Sequence, residues 1–320
     1  MRRLYGELMF ALAALLFAYW FSTLHVRTPE YRTVTFAKMV EGTAWTPQQY
    51  RVLLPWLVRA GKQTSVSWLN RWTLDQIRFA IDVISCIALL YAARLFWKAL
   101  GYDAMRGMAA SSLFALMLPF QFFLPAVRWY YCYDIAAIAF FTLGLAALLK
   151  KNWTLFYVVF VLGTFNRETT AFLVLIYLLA YVGRDNWKQL GAHALAQTMI
   201  WVVIKTWLWS VYHNADATYA DSLDLYKDSV AHNLRLFAED PNLWITLASN
   251  WAFLWIPALA GWPRIGHPFV RRALWIVPVF VGVMFYVGEL AELRIYSELI
   301  PIIAAAALLV VASPVEVRPQ

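Results

Sequence analysis

Charged residues are scarce in this chain. Asp, Glu, Lys and Arg make up 14% of its 320 residues, whereas soluble domains usually contain about a quarter. Hydrophobic residues account for 62%. This composition excludes an ordinary soluble domain and indicates a polytopic membrane protein.

Cysteine is almost absent as well. Cys86 lies inside a predicted membrane span and Cys132 at the edge of another, which excludes a disulfide framework and a cysteine metal cluster. The five histidines show no metal-ligand spacing and are interpreted as residues of the membrane interface; they are His25, His193, His213, His232 and His267.

The chain also lacks any aromatic and basic module that is separate from its apolar segments. A formal net charge of +8 would suggest nucleic acid in a soluble protein, but here the basic residues flank apolar segments, as cytoplasmic loops do. We therefore expect no nucleic-acid partner. No internal repeat is found, which disfavours a transporter built from inverted repeats.

Apolar segments follow one another along the whole sequence. A helix needs about 20 apolar residues to cross a bilayer. The pattern predicts ten spans, at 8–24, 74–97, 108–126, 131–149, two within 153–182, 190–212, 243–262, 273–288 and 297–312. The basic clusters fall on the side of both chain ends, which predicts cytoplasmic termini; they comprise Arg2, Arg3, Arg94, Lys98, Arg106, Lys150, Lys151, Arg184, Lys188, Arg264, Arg271 and Arg272.

The fold class expected from this pattern is all-α. Residues 1–320 should form a single integral membrane domain, a transmembrane helical bundle of about ten spans. Two polar segments, 25–73 and 213–242, should lie outside the membrane as structured insertions. Each is predicted to hold an interfacial helix. The first starts at Thr46-Pro47, where a hydroxyl cap precedes a proline, and continues over 50–58; the second lies over 217–239.

One polar stretch, Asn166 to Thr170, interrupts the apolar run 153–182. An ionisable side chain at the centre of a bilayer costs several kcal/mol unless it is paired or hydrated. Irregular backbone is tolerated at that depth only where it lines a cavity or is buried in protein. We therefore predict two short helices that meet at Asn166, with Arg167 and Glu168 at a functional tip. The alternative is a structural ion pair between helices.

Other ionisable residues, distant in sequence, are expected at the same level. They follow span 1, begin span 2 and occupy the turns after spans 3 and 9: Glu30, Arg78, Asp82, Arg128, Asp134, Glu289, Glu292, Arg294 and Glu298. Charges that enter spans in this way typically line a cavity or a substrate path.

Arginines beside carboxylates suit transfer from a phosphate. Arginine binds phosphate with two parallel hydrogen bonds, so Arg51, Arg167 and Arg294 are predicted to share an anion site. A carboxylate can accept the proton of an attacking hydroxyl. Taken singly, Arg78, Asp82, Arg128 and Asp134 are each explained better by an interfacial ion pair or a snorkelling side chain than by a site. Lys205 is interpreted as a snorkelling side chain, and the excess of Trp and Tyr as aromatic belts.

Three motifs carry a resemblance that covers nearly the whole chain. They are Tyr-Arg-Val-Leu-Leu-Pro at 50–55, Arg-Glu-Thr at 167–169, and Glu-Leu-Arg-Ile-Tyr-Ser-Glu-Leu-Ile-Pro at 292–301. The chain resembles the GT-C superfamily of polytopic glycosyltransferases, and in particular its small bacterial members. The resemblance implies a polyprenyl-phosphate-linked sugar donor and a glycan, lipid or protein acceptor on the outer, periplasmic face of the inner membrane.

The resemblance also implies site residues. Glu30 matches the acidic residue after the first span that serves as catalytic base, Glu41 is the second candidate, and Glu168 is a third. Arg294 matches a lipid-phosphate contact. The predicted substrate-binding set is Arg51, Arg128, Asp134, Arg167, Glu289, Glu292, Arg294 and Glu298. Because the chain has no paired acid after span 1, a divalent metal is left open and no cofactor is assigned.

Two other functions fit a chain of this kind. A transporter or flippase of lipid-linked glycans would spread its ionisable residues through the membrane thickness. A noncatalytic membrane subunit of an envelope assembly would present an apolar groove without convergent carboxylates and guanidinium groups. In each case the partners would include membrane lipids.

Overall fold

The computed structural model describes residues 2–64, 69–125, 127–183, 186–212 and 222–311. These residues form helices and connecting turns, with no β-strand among them, which confirms the all-α class. Arg184, residues 213–221 of the second polar segment and the chain after Val311 lie outside the described residues.

The described helices are given in chain order. They are α1 Arg2–His25, α2 Phe36–Glu41, α3 Leu53–Gln63, α4 Leu74–Ala99, α5 Ala104–Phe122, α6 Asp134–Leu149, α7 Trp153–Asn166, α8 Ala171–Tyr181, α9 Trp187–Tyr212, α10 Ser222–Glu239, α11 Pro241–Ser249, α12 Trp255–Ala260, α13 Pro268–Ala273, α14 Ile276–Val287 and α15 Ile300–Val311.

Five helical segments are long and apolar enough to cross a membrane, judged by length and composition: Leu4–His25, Leu74–Ala99, Trp187–Tyr212, Pro268–Val287 and Leu293–Val311. Three shorter apolar helices are Asp134–Leu149, Trp153–Asn166 and Glu168–Tyr181. These helices fit an integral membrane protein, as the sequence predicts.

The core is organised around α6. This helix packs against α4, α7 and α8, and nearly all of its residues are buried. Helix α4 also packs against α1 and α5. By contrast, α1 and α9 expose many large apolar side chains, as helices that face lipid do. The N-terminal end of α6 is therefore enclosed by neighbouring helices, which matters for the charged residues found there.

The predicted break in the apolar run 153–182 is confirmed. Helix α7 ends at Asn166, and Arg167 is extended, with φ −160° and ψ 141°. A 3-10 turn, Glu168–Thr170, then leads into α8. The break is tightly packed, since a Cβ on Gly163 would lie 2.8 Å from Cγ2 of Thr170.

The first polar segment folds against the bundle. The helix predicted over 50–58 is instead a 3-10 turn, Gln48–Tyr50, followed by α3. The main chain stays irregular at Val52 because its N–H donates to the carbonyl oxygen of Phe165 at 2.9 Å. This bond fixes the segment beside the break after α7. In the second polar segment, the helix predicted over 217–239 corresponds to α10.

Candidate functional site

A five-residue segment, Tyr130 to Asp134, joins the parts of the candidate site. It enters α6, and two backbone contacts anchor it. The N–H of Tyr130 donates to the carbonyl oxygen of Pro29 at 2.9 Å. Nδ2 of Asn166 donates to the carbonyl oxygen of Tyr133 at 3.0 Å. The segment thereby links the end of the first span with the break between α7 and α8.

Three arginines from different parts of the chain stack on tyrosines of this segment. The guanidinium carbons lie 4.2–4.7 Å from the ring centroids, in the pairs Arg78 with Tyr130, Arg294 with Tyr131, and Arg51 with Tyr133. Cation–π contacts of this kind contribute about 0.5–2 kcal/mol each, more where water is excluded. Successive tyrosines therefore hold three cations at one end of α6.

Asp134, Arg167, Arg294 and Glu298 form what we call the buried cluster. Asp134 lies between the two arginines, with Oδ1 3.4 Å from Nη1 of Arg167 and Oδ2 3.1 Å from Nη1 of Arg294. Arg167 also pairs with Glu298 at 2.9 Å. The side chains of Asp134 and Glu298 have no exposed surface, and that of Arg167 is 3% exposed. The cluster is thus closed to solvent and balanced between two cations and two carboxylates.

Glu292 borders the buried cluster through an ion pair with Arg294. It precedes the 3-10 segment Leu293–Leu299, and its side chain is 12% exposed. Burial raises the pKa of the Glu292 carboxyl above its ordinary value, although Arg294 beside it acts in the opposite direction.

Arg51, Glu168 and Lys205 form a second group, which we call the rim cluster. Nε and Nη2 of Arg51 donate to the two carboxylate oxygens of Glu168, at 3.1 and 2.5 Å. Nζ of Lys205 lies 3.8 Å from Oε2 of the same carboxylate. Nη1 of Arg51 donates to the hydroxyl of Tyr133. The Glu168 side chain is 34% exposed, so this cluster is partly open.

A third group lies at the end of α1. Oε1 of Glu30 accepts a hydrogen bond from the N–H of Phe36 at 2.7 Å, and Oε2 pairs with Arg78 at 3.1 Å. Nδ1 of His25 lies 2.6 Å from Oδ2 of Asp82. His25, which the sequence places at the membrane interface, has a side chain that is 1% exposed and is enclosed with Asp82. Glu30 is also held on both oxygens.

The structure brings most of the predicted site residues together. Arg51, Asp134, Arg167, Glu168, Glu292, Arg294 and Glu298 belong to the two clusters or border them.

Glu30 belongs to the third group, and three other predicted site residues lie apart from all three groups. Arg128 is exposed and donates to the carbonyl oxygen of Phe123 at 2.8 Å. Glu289 lies 3.7 Å from Nε2 of His232. Glu41 is an exposed residue at the end of α2.

Sequence reasoning missed two kinds of site residue. Lys205 does not snorkel: its Nζ is buried and points at Glu168. Lys205 lies on α9, one turn after Trp201. The indole N–H of Trp201 donates to the carbonyl oxygen of Glu168, but no pattern in the sequence indicates this contact. The tyrosines at 130, 131 and 133 are buried and do not belong to an aromatic belt. Their position directly before Asp134 was the available signal.

A divalent metal has no ligand set in the part of the chain that the structure describes. No group of three or more His, Cys, Asp and Glu there is placed to hold a metal ion. The side chains of the two clusters supply guanidinium, ammonium, carboxylate and phenol groups.

The fold and the site define an all-helical membrane protein with a charged centre at one end of a buried helix. Comparison of the chain with protein-family models, with curated proteins and with solved structures finds no match.

Proposed function

We propose that this protein is a membrane glycosyltransferase of the GT-C type. It would move a sugar from a polyprenyl-phosphate-linked donor to a glycan, lipid or protein acceptor on the periplasmic face of a bacterial inner membrane. The observation that carries the proposal is the convergence of Arg51, Glu168 and Lys205 in a partly open cluster, although they lie far apart in sequence.

The groups present suit the demands of sugar transfer. A lipid-phosphate leaving group needs fixed positive charge where its own charge develops, and Arg51 and Lys205 supply it. The acceptor hydroxyl needs a carboxylate to take its proton. Glu30 and Glu168 lie near opposite ends of the Tyr130–Asp134 segment, since Arg78, the partner of Glu30, stacks on Tyr130 and Arg51 on Tyr133. The Cα atoms of these tyrosines are at most about 10 Å apart.

The proposal includes the membrane arrangement. We propose ten crossings, in which α7 and α8 count separately and α11 joins α12 and α13 joins α14. In this arrangement α3 and α10 would lie along the interface and both termini in the cytoplasm. Glu41→Cys and Lys150→Cys test this, because both positions are exposed and the native Cys86 and Cys132 are buried. An impermeant maleimide should label Glu41→Cys in intact cells and Lys150→Cys only after lysis. The opposite pattern would invert the arrangement.

Transfer is tested with the full-length protein in lipid nanodiscs. A panel of radiolabelled polyprenyl-phosphate hexoses is supplied, with membranes of the host that lack this protein as the acceptor source. The expected result is movement of label out of the donor together with release of polyprenyl phosphate. If the folded protein consumes no donor from a panel covering the host's lipid-linked sugars, the glycosyltransferase proposal fails.

Three variants identify the catalytic base. Glu30→Gln, Glu41→Gln and Glu168→Gln each remove a proton acceptor and keep the size of the side chain. Loss of a positioned base typically slows a reaction by about 100- to 10,000-fold. We expect Glu30→Gln to show this loss in a protein that elutes as wild type on gel filtration, and Glu41→Gln to remain within about threefold. Loss confined to Glu168→Gln would move the base to the rim cluster.

A further inference from the structure

We propose that Arg51 and Lys205 form a phosphate-binding subsite in which Glu168 is the resident counter-ion, and that an incoming phosphate takes Lys205 from Glu168. This inference deepens the proposed function and rests on it for the source of the phosphate, a membrane lipid. It assigns a binding role to Lys205 and a placeholder role to Glu168.

The first step is the state of Lys205. An ammonium carries three hydrogen-bond donors and no acceptor. Nζ of Lys205 is buried and makes no hydrogen bond to any described residue. Its 3.8 Å distance to Oε2 of Glu168 is longer than a hydrogen bond. A desolvated cation without an acceptor is costly, so this group would gain by meeting an anion.

The second step is the charge balance. In the rim cluster, two cations face one carboxylate, and that carboxylate is already engaged by both donating nitrogens of Arg51. One positive charge is left over. A polyprenyl-phosphate sugar is a phosphodiester with a single negative charge, so it would neutralise the surplus without requiring Glu168 to leave Arg51.

The buried cluster provides the contrast. Its two arginines are matched by Asp134 and Glu298 within the cluster, and Glu292 adds a further carboxylate at Arg294. Some of its atoms lack hydrogen bonds, namely Nε of Arg167 and Arg294 and Oε2 of Glu298, but each of these groups has an ion-pair partner within 3.4 Å. An added anion would therefore be favoured at the rim cluster.

The third step is access. The side chains of Arg51 and Lys205 are 11% and 14% exposed, and that of Glu168 is 34% exposed. The main chain of Glu168 is fixed, because its carbonyl oxygen accepts a hydrogen bond from the indole N–H of Trp201 at 3.0 Å. An incoming phosphate can therefore reach Lys205 while Glu168 stays on Arg51 and the backbone of the break stays in place.

The experiment measures binding to the full-length protein in nanodiscs of uncharged lipid. The probes are polyprenyl phosphate, the uncharged polyprenol and inorganic phosphate, and binding is read by native mass spectrometry and by the shift in thermal midpoint. Lys205→Met is compared with Lys188→Met, an exposed lysine on the same helix. We expect Lys205→Met to weaken the binding of polyprenyl phosphate by about tenfold to a hundredfold, the usual range for a hydrogen bond to a charged group. Lys188→Met should bind it as wild type does.

A second variant tests the placeholder role. Glu168→Gln removes the competing charge, so it should bind polyprenyl phosphate several-fold more tightly than wild type. A purely structural role for Glu168 would not give this gain. Binding of polyprenol should be unchanged in all three variants. If inorganic phosphate shows the same dependence on Lys205, the subsite still stands and recognises the phosphate group without its lipid.

Two results would overturn the subsite. One is unchanged phosphate binding in Lys205→Met, and the other is an equal loss of polyprenol and polyprenyl phosphate. The outcome is separable from that of the proposed function. Phosphate binding that depends on Lys205 without any sugar transfer would keep the subsite and remove the transferase, whereas transfer with binding indifferent to Lys205 would do the reverse.

Discussion

The buried cluster and the rim cluster use the same chemistry in opposite ways. Both pair arginines with carboxylates beside the Tyr130–Asp134 segment. In the buried cluster, Asp134 joins two guanidinium groups where neither Asp134 nor Glu298 has exposed surface. In the rim cluster, Glu168 is 34% exposed and faces a lysine that makes no hydrogen bond to a described residue.

The different exposure and charge balance of the two clusters suit them to different roles. Removing one partner of a buried ion pair leaves a charge without compensation, at a cost of about 3–5 kcal/mol. An intact closed cluster is therefore needed for the stability of the fold. A partly open cluster with unbalanced charge loses little when a partner moves and gains when an anion arrives. We therefore expect substitutions in the buried cluster to change stability first, and those in the rim cluster to change binding first.

The largest effect is expected for Asp134→Asn. Arg167 and Arg294 would lose the carboxylate that they share, and the variant should fail to give a monodisperse protein after extraction from the membrane. Fluorescence-detected gel filtration of tagged protein measures this directly. Asp75→Asn is the matched control, because that carboxylate also pairs with an arginine but is 87% exposed. A normal yield of monodisperse Asp134→Asn protein would contradict the role in stability assigned to the buried cluster.

A smaller effect separates the two clusters through the same change at two arginines. Lysine keeps the charge of arginine but loses the planar fork. Arg51→Lys should weaken the binding of polyprenyl phosphate by about tenfold or more, with a thermal midpoint close to that of wild type. Arg294→Lys should lower the thermal midpoint, because Arg294 holds Asp134 and Glu292 together. Binding affinity and thermal midpoint are measured on both variants. If Arg294→Lys alone lost phosphate binding at an unchanged midpoint, the anion site predicted from the three arginines would lie at the buried cluster.

Tyr133→Phe probes the contact of Arg51 with the Tyr130–Asp134 segment. The Tyr133 hydroxyl accepts a hydrogen bond from Arg51, and a hydrogen bond to a charged group is worth about 1.5–3 kcal/mol. The ring and its stacking on Arg51 remain. We expect weaker phosphate binding than wild type, by less than in Arg51→Lys, in the same nanodisc assay. Tyr130→Phe serves as control because its ring stacks on Arg78, outside the rim cluster, and should leave the affinity unchanged.

Much of the fold could be predicted from local patterns in the sequence. The all-α class follows from long apolar segments, and the break at Asn166 from polar residues within one of them, because both depend on neighbours along the chain. Helix α3 shows the limit of this reasoning. It begins at Leu53 and not at the predicted start, Thr46-Pro47, because the N–H of Val52 bonds to a carbonyl in the distant α7.

The site was predictable as a set of residues but not as a set of pairs. The charges near Arg167 and Glu168 were expected at one level, yet Arg51 and Glu168 are 117 positions apart and Asp134 and Arg294 are 160 apart. Such pairing is decided by helix packing, which sequence spacing does not encode. Lys205 was misjudged for the same reason. Snorkelling is the usual behaviour of a lone lysine near a helix end, and only the approach of Glu168 makes it a member of the cluster.

The smallest expected effect is a pH dependence at Glu292, on the edge of the buried cluster. Burial raises the pKa of its carboxyl above the ordinary value of 4.5. Just above pH 4.5, the folded protein therefore holds this proton more than the unfolded chain does. Stability should fall as the pH rises from 4.5 through the raised pKa, because the group is then ionised in the folded state against the cost of burial.

Glu292→Gln removes this titration while keeping the size of the side chain. As the pH rises from about 4.5, its thermal midpoint in detergent should fall less steeply than that of wild type. One proton accounts for a difference of at most about 1.4 kcal/mol in the free energy of unfolding per pH unit. Glu41→Gln, at an exposed carboxylate, should follow the wild-type curve. Parallel curves for Glu292→Gln and wild type would mean that the carboxylate of Glu292 remains ionised over this range. In that case the ion pair with Arg294 would stabilise the charged form of Glu292 more than burial destabilises it, and Glu292 would belong to the charge-paired buried cluster.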